Sequence, residues 1–439
     1  MKRNSLLALL AITFSVSAGV CSAQAPAERM QQVAQSYADA GLFMGSVLVA
    51  ENGKVLLSKG YGWADVEWNI PNSPTTRFLL ASMTKQFTAA SILLLEDRGK
   101  LKTDDLVKKY IPTAPATWDK ITIYHLLTHT SGIPDAQVQV LPSPPEETVL
   151  HIREMPLSFQ PGERWEYSSV VYALLGYLVE KISGQAYADF VRENIFKPLG
   201  MNDSGFDTNV AIIPHRASGY RPGVDGIENA ERTNLILAFS AGALYSTTED
   251  LLRWEERLFG GKLLTPASLH KMTTPFRNNY ACGLNVRRVD GHLMVEHSGQ
   301  AIGFNADMAY YPEEKLAVIV LGNLNSTAPG KLTAALAAVM HGETAALAAA
   351  PKEIAPKLLA RYVGTYEFQG YSVVFVLSGG RLMAQFTGGP QFPVFAESET
   401  RFFTKGEVEL QFEFSKNDKG EFAFVTQHQN GKETKGLKK

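Results

Sequence analysis

Residues 82–97 read as a helix that is apolar nearly all round: Ala89, Ala90, Ile92, Leu93, Leu94 and Leu95 fill it, and Gly99 is placed to end it. Such a helix needs other elements packed on every side, so it belongs at the centre of a domain. The chain can supply that cover. It has 439 residues, 45% hydrophobic and 20% charged, enough to bury a large core and a second one beside it. A net charge of -2 supplies no field that would draw in nucleic acid or an acidic membrane surface, so the expected partner is a small molecule or peptide.

The pattern on either side of this helix sets the fold class. Two short apolar runs, residues 44–50 and 54–58, flank Glu51-Asn52-Gly53, and Asn-Gly between such runs signals a hairpin. Residues 170–182, 186–195 and 248–259 are helical in period; residues 292–296, 306–311 and 316–321 read as successive strands, and 331–340 as a covering helix. Helices in mid-chain with strands at both ends indicate an α+β domain whose sheet is built from distant segments. An Ala-rich break at residues 344–356, closed by Pro351 and Pro356, reads as a linker that can continue a helix for a turn or two. Beyond it the period is two, in Val373-Phe375-Leu377, Val408-Leu410-Phe412-Phe414 and Phe422-Phe424, so residues 357–439 are expected to form a small all-β sandwich or barrel.

The start of the chain reads as a leader. Lys2 and Arg3 precede an apolar stretch at residues 6–20, and Ala23 or Ala25 offers a small-residue cleavage site. The stretch is shorter than the roughly 20 residues of a spanning helix and contains Thr13, Ser15 and Ser17. Removal of residues 1–25 is therefore expected, leaving no integral membrane span and a periplasmic or secreted protein. Lipid attachment at Cys21 is not expected, because Val20 is bulkier than the residue that should precede a lipid-modified cysteine. With Cys21 gone, Cys282 is the remaining cysteine and no internal disulfide can form. Its apolar setting, Tyr280-Ala281-Cys282-Gly283-Leu284, suits a buried structural thiol.

Three short elements carry chemistry. Ser82-Met83-Thr84-Lys85 opens the buried helix; residues three apart share a helix face, so the Ser82 hydroxyl and Lys85 amine can meet. A neutral lysine in an apolar pocket can take the serine proton. Tyr167-Ser168-Ser169 precedes the apolar helix at 170–182, where the Tyr167 phenol can point into a cleft and relay protons. His297-Ser298-Gly299 stands at the end of the strand 292–296, where a small residue and a glycine let a substrate backbone lie alongside. The next amide, from Gln300, can join that of Ser82 in an oxyanion hole. Each element alone is a weak signal, and Ser-x-x-Lys fits a helix cap followed by a surface lysine equally well. His125 and His129 lack a third ligand at metal-site spacing and read as structural; Asp104, Asp105, Glu146 and Glu147 read as surface acids.

Together and in this order, the three elements resemble the serine β-lactamase, DD-peptidase and esterase superfamily, particularly its class C-like branch. Residues 126–134 (Leu-Leu-Thr-His-Thr-Ser-Gly-Ile-Pro), Pro198-Leu199-Gly200-Met201 and Ser240-Ala241-Gly242-Ala243-Leu244 are similar to the same family, and the likeness covers residues 27–343 as one domain. The resemblance implies a β-lactamase/transpeptidase-like fold with Ser82 as nucleophile, Lys85 as its base or base partner, Tyr167 as proton relay and His297 at the third motif. Ser169, Ser298, Gly299 and Gln300 would line the substrate, which is a small ester, peptide or β-lactam; no metal and no cofactor are implied. Two departures matter. Ser169 stands where the family commonly has asparagine, and His297 where typical β-lactamases have lysine, which looks more like the peptidase and esterase relatives. A true β-lactamase, or a protein that is acylated without turnover, are the alternatives.

Overall fold

The structure, a computed structural model, describes residues 25–135, 152–223, 226–231, 234–348, 350–406, 410–429 and 431–439. Residues 1–24 of the expected leader, the acids Glu146 and Glu147, and Val408 lie outside the described residues.

A six-stranded antiparallel sheet organises the first domain. In spatial order it runs Asn285–Val289, His292–Ala301, Phe304–Tyr311, Leu316–Gly322, Gly45–Glu51 and Lys54–Tyr61. The expected N-terminal hairpin is its far edge, turning at Asn52 (φ 51) and Gly53 (φ 77), both in the left-handed region that Asn and Gly tolerate. Residues of Leu316–Gly322 alternate between two cores because successive side chains of a strand point to opposite faces. Val318 and Val320 join Met30 and Val33 of the helix Pro26–Asp39 and Leu332 and Leu336 of the helix Ala328–Met340. Ile319 and Leu321 face the larger core around the helix Thr84–Asp97. That helix is buried from Thr84 through Leu95, as its all-round apolar pattern requires.

The helix Thr248–Phe259 has the expected bounds. Other elements run longer than their patterns: Ser169–Ser183, Ala328–Met340 and, most consequentially, the strand His292–Ala301, which carries His297, Ser298, Gly299 and Gln300 within it rather than at its end. Residues 186–195 split into the α-helix Tyr187–Val191 and a π-helical turn, Arg192–Phe196. The linker does not continue a helix. The preceding helix ends at Met340, Gly342 turns left-handed (φ 76), and two side chains of the first helix tie the backbone that follows: Arg29 donates to the Ala345 carbonyl at 2.7 Å and the Ala348 N–H to Ser36 Oγ at 2.9 Å.

The tail is a single nine-stranded antiparallel sheet from Gly364–Phe368 to Lys432–Lys438, with its own core of Tyr362, Tyr366, Phe375, Phe412 and Phe414. Its two edge strands, Gln391–Pro393 and Phe395–Ala396, are separated only by Val394, so one kinked segment joins both edges and the sheet curls towards a barrel. No helix of the described residues is long and apolar enough to cross a membrane.

Candidate active site

Ser82 sits on a single turn, Ala81–Met83, that feeds directly into the buried helix. Ala81 has φ 47, a conformation that costs a residue with a Cβ about 1–3 kcal/mol and persists only where the surroundings impose it. The turn lifts one side chain: Ala81 and Met83 are buried, Ser82 half-buried. One helical turn on, Lys85 is completely buried, and its Nζ donates to Ser82 Oγ at 2.9 Å and to the Ala241 carbonyl at 3.0 Å. None of the ion pairs among the described residues involves Lys85; instead its ammonium position lies over the rings of Tyr167 (4.9 Å) and Tyr172 (5.8 Å). The Ala241 carbonyl is aimed by its own packing. The helix Leu235–Gly242 is kinked at Phe239 (φ 38), the Ser240 carbonyl accepts from Thr88 Oγ1 at 2.6 Å, and Ser240 Oγ donates to the Tyr172 carbonyl at 2.8 Å. A Cβ on Gly176 would stand 2.0 Å from Ser240 Oγ, so glycine is required there for the two helices to close.

Tyr167 lies on the extended segment before the helix Ser169–Ser183, as its sequence position implies. Sequence reasoning missed what holds this segment. Ser168, the helix N-cap, makes no side-chain capping bond to its own helix; Asp135 Oδ1 accepts from the Ser169 N–H at 2.8 Å and the Val170 N–H at 3.4 Å, with carboxylate charge at a helix N-terminus. Burial raises the Asp135 carboxyl above its usual range, against the opposing pull of these two amides. His129 was expected to be structural; it is buried behind the cleft, its ring 4.5 Å from Tyr167, 5.0 Å from Tyr172 and 4.8 Å from Tyr280. Its Nδ1 accepts from the Ser168 N–H at 3.2 Å, which leaves the proton on Nε2. Burial first, then Lys85, hold it well below the ordinary histidine range, so it is neutral at pH 7.

His297 reaches the same cluster from the sheet. It is buried, its Nδ1 lies 2.6 Å from the Ser298 carbonyl and its Nε2 3.4 Å from the Tyr280 hydroxyl. A carbonyl can only accept, so Nδ1 donates and Nε2 accepts from the tyrosine hydroxyl. Burial, then Lys85, push its pKa down to about 4, so a neutral imidazole stands at the third motif. Ser298 and Gln300 are exposed on the same strand. The strand Asn285–Val289 pairs no further than Glu296, leaving the edge from His297 to Ala301 without that neighbour. Gly299 has a separate necessity: a Cβ there would lie 2.1 Å from the Leu80 carbonyl oxygen, so only glycine lets this edge press against the Ser82 turn.

The remaining candidates fall elsewhere. His125 closes a capping box with Thr122. Asp105 accepts from Tyr110, Lys109 and the Lys102 N–H in a surface turn, and the Tyr110 hydroxyl above all holds it down at about 2. Cys282 is buried and its thiol pushed up to about 12, consistent with an inert packing group. Among the described residues one set could approach a metal, His292, Glu314 and His341. The two imidazoles stack nearly parallel at 3.7 Å, so their ring-plane lone pairs do not converge, and both hydrogen-bond to Glu314.

A sheet with a helical region packed against it, and a serine and lysine one helical turn apart at their junction, define the serine β-lactamase and transpeptidase class. This chain belongs to the β-lactamase family, whose model matches residues 30–341; a domain of unknown function matches residues 348–436. Penicillin-binding protein 4* of Bacillus subtilis is 28% identical over 447 residues, covering 94% of this chain and 98% of that protein. The octameric penicillin-binding protein homologue from Pyrococcus abyssi superposes with a TM-score of 0.67 at 24% identity, over 93% of this chain and 99% of its own. D-amino acid amidase from Ochrobactrum anthropi shares the fold of the first domain, with a TM-score of 0.61 at 24% identity over 70% of this chain and 98% of its own.

Proposed function

We propose that this chain is a serine hydrolase that works through an acyl-enzyme on ester or amide bonds, of the esterase or D-amino-acid peptidase type. The observation that carries the reading is the 2.9 Å contact between Lys85 Nζ and Ser82 Oγ, made by a lysine that is wholly buried. Ser82 Oγ bonds to the substrate carbonyl carbon while its proton passes to Lys85 Nζ, which acts as the base or the base's partner. The resulting oxyanion faces the Ser82 and Gln300 amides, and Tyr167 relays the proton to the departing alcohol or amine. Water then attacks the acyl-enzyme along the reverse proton route, releasing the acid and restoring Ser82. His297, neutral and buried, orients the strand edge that takes the substrate; it supplies no cation of the kind a lysine would, which favours esters and peptides over β-lactams. Residues 1–25 are read as an export leader, placing the reaction in the periplasm or outside the cell.

Labelling with a serine-directed phosphonate, followed by intact mass, tests the nucleophile. One adduct is expected, absent in Ser82→Ala, and Lys85→Ala should slow labelling by about 10²- to 10⁴-fold. Labelling that survives Ser82→Ala removes the assignment. Short esters, D-amino-acid peptides and a chromogenic cephalosporin assayed side by side separate the hydrolase from a β-lactamase, and a stoichiometric burst with no further product would identify acyl trapping instead.

A further inference from the structure

A cavity of about 540 Å³, within the roughly 300–1,000 Å³ of small-molecule sites, lies behind the sheet on the face turned away from Ser82. Strand alternation places it there. In His292–Ala301 the side-chain positions of His297 and Gly299 face the Ser82 turn, so Glu296 and Ser298 face the other way. The register extends that second face: Glu296 stands opposite Ala309, Ser298 opposite Asp307 and Met294 opposite Arg287. Met294, Ala309 and Tyr311 belong to the core packed by the helices Pro26–Asp39 and Ala328–Met340, whereas Met308, opposite His297, belongs to the larger core.

The facing wall is one stripe of the helix Ala328–Met340. Gly330, Thr333, Ala334, Ala337, Ala338 and, just past the helix end, His341 follow helical spacing, and all line the cavity. Two contacts show the walls opposed. A Cβ on Gly330 would lie 3.8 Å from Asp307 Oδ2, and the rings of Tyr311 and His341 meet edge to face at 5.0 Å.

The polar groups of these walls are unevenly served. Arg287 is held by Glu296 at 3.0 Å and His341 by Glu314 at 3.0 Å, so neither of the two basic lining residues is left for Asp307. Asp307 is 8% exposed and forms no ion pair among the described residues; Thr333, 3% exposed, has a hydroxyl without a hydrogen-bond partner. Burial first, then Glu296, raise the Asp307 carboxyl to about 7, against the weaker pull of Thr333 and Arg287. An ammonium carries a full charge and three donors, which answers both groups at once. Met294, Tyr311 and the alanines add apolar surface beside them.

We propose that this cavity binds a primary ammonium on a compact apolar body, the ammonium meeting Asp307 and the Thr333 hydroxyl and the body lying between Met294, Tyr311 and the alanine stripe. The site is separate from the one at Ser82, with the sheet between them, and it backs the strand that carries His297.

The probes are 2-phenylethylamine and its neutral counterpart 2-phenylethanol, titrated by calorimetry at pH 8 into the full chain carrying Ser82→Ala. No turnover intervenes, so the outcome is independent of the hydrolase reading. The amine should bind about 5- to 30-fold more tightly, the margin by which a hydrogen bond to a charged group exceeds a neutral one. Asp307→Asn, added to that chain, should bring the ratio below about twofold. Ala338→Leu fills the cavity and leaves the carboxyl in place; it should weaken both probes, and it serves where Asp307→Asn does not fold. The parent chain labelled at Ser82 by the phosphonate should bind the amine as tightly as the unlabelled chain. Equal binding of the two probes, or no saturable binding of either, overturns the proposal. So does a preference that Asp307→Asn leaves intact, binding that Ala338→Leu leaves intact, or binding lost on labelling.

Discussion

Replacing Gly299 by alanine adds one methyl group where the sheet meets the nucleophile turn. The new Cβ would start 2.1 Å from the Leu80 carbonyl oxygen and 3.4 Å from Ala81 Cβ. Ordinary carbon contacts are about 3.5 Å, so the strand and the turn must part by roughly 1.4 Å along that line. Neither side yields cheaply: the Leu80 N–H is tied to the Leu244 carbonyl at 2.8 Å, and Gly299 is paired with Ala306 in the sheet. The separation falls between Ser82 and Gln300, whose amides are the proposed oxyanion donors. A misplacement of about 1 Å can cost about 10²-fold, and loss of one oxyanion donor about 10²- to 10³-fold. Overpacking of this kind costs about 1–3 kcal/mol of stability, a fall of some degrees in Tm for a chain of this size. The expected result for Gly299→Ala is therefore a folded protein with kcat on a short ester, and the rate of phosphonate labelling, reduced about 10²-fold or more. Rates within about threefold of the parent, with Tm preserved, would refute the contact as a determinant of the site.

Burial pushes Glu255 up to about 8, and Asp307 up to about 7 with help from Glu296. Both carboxyls hold their protons more tightly folded than unfolded, so their stabilisation is complete below about pH 4 and is lost as pH rises through 7 and 8. Thermal unfolding across pH 5 to 8 should show a falling Tm, and Glu255→Gln should remove up to about 1.4 kcal/mol per pH unit of that slope; an unchanged slope would place the titration elsewhere. Asp135→Ala should cost about 0.5–2 kcal/mol in denaturant unfolding as a lost helix cap, with a larger fall in kcat than in stability because Tyr167 and Ser168 lead into that helix. Ser169→Asn should raise the ratio of amide-bearing substrates to simple esters by about 2- to 13-fold, one hydrogen bond's worth; an unchanged ratio with both rates intact would show that Ser169 does not set that choice. A chain ending at Pro351 keeps the Ala345 and Ala348 contacts and loses the bond from Lys405 Nζ to the Ala40 carbonyl, so it should remain soluble and active on small esters, as a thermal melt and an ester assay would show.

The central helix was legible because its pattern has one solution: no polar face means cover on every side. Helical spacing showed only that Ser82 and Lys85 can meet, the other two elements and the family resemblance singled the pair out, and the tail followed from its period of two. The strand carrying His297 was read five residues short, since Ser298, Gly299 and Gln300 have none of the apolar alternation that marks a strand; what makes them one is pairing with Phe304–Tyr311. Asp135 and the Ala241 carbonyl escaped notice, and His129 was read only as structural, for a common reason. Their roles are contacts with Ser169, Ser168 and Lys85, each at least 34 positions away, and nothing local in a sequence marks a long-range partner.

The sheet pairs Gly45 with Gly322 and Glu51 with Leu316. Its first strand therefore has its inner neighbour only when the last one arrives, and until then the hairpin Gly45–Tyr61 stands with one edge open. Loop closure over so long a separation is entropically slow. During synthesis the turn that carries Ser82, though encoded near the beginning, has no sheet to lean on before residue 322 has emerged. The proposed site would thus be assembled late and at once, and partial products of translation would expose unpaired strand edges without it.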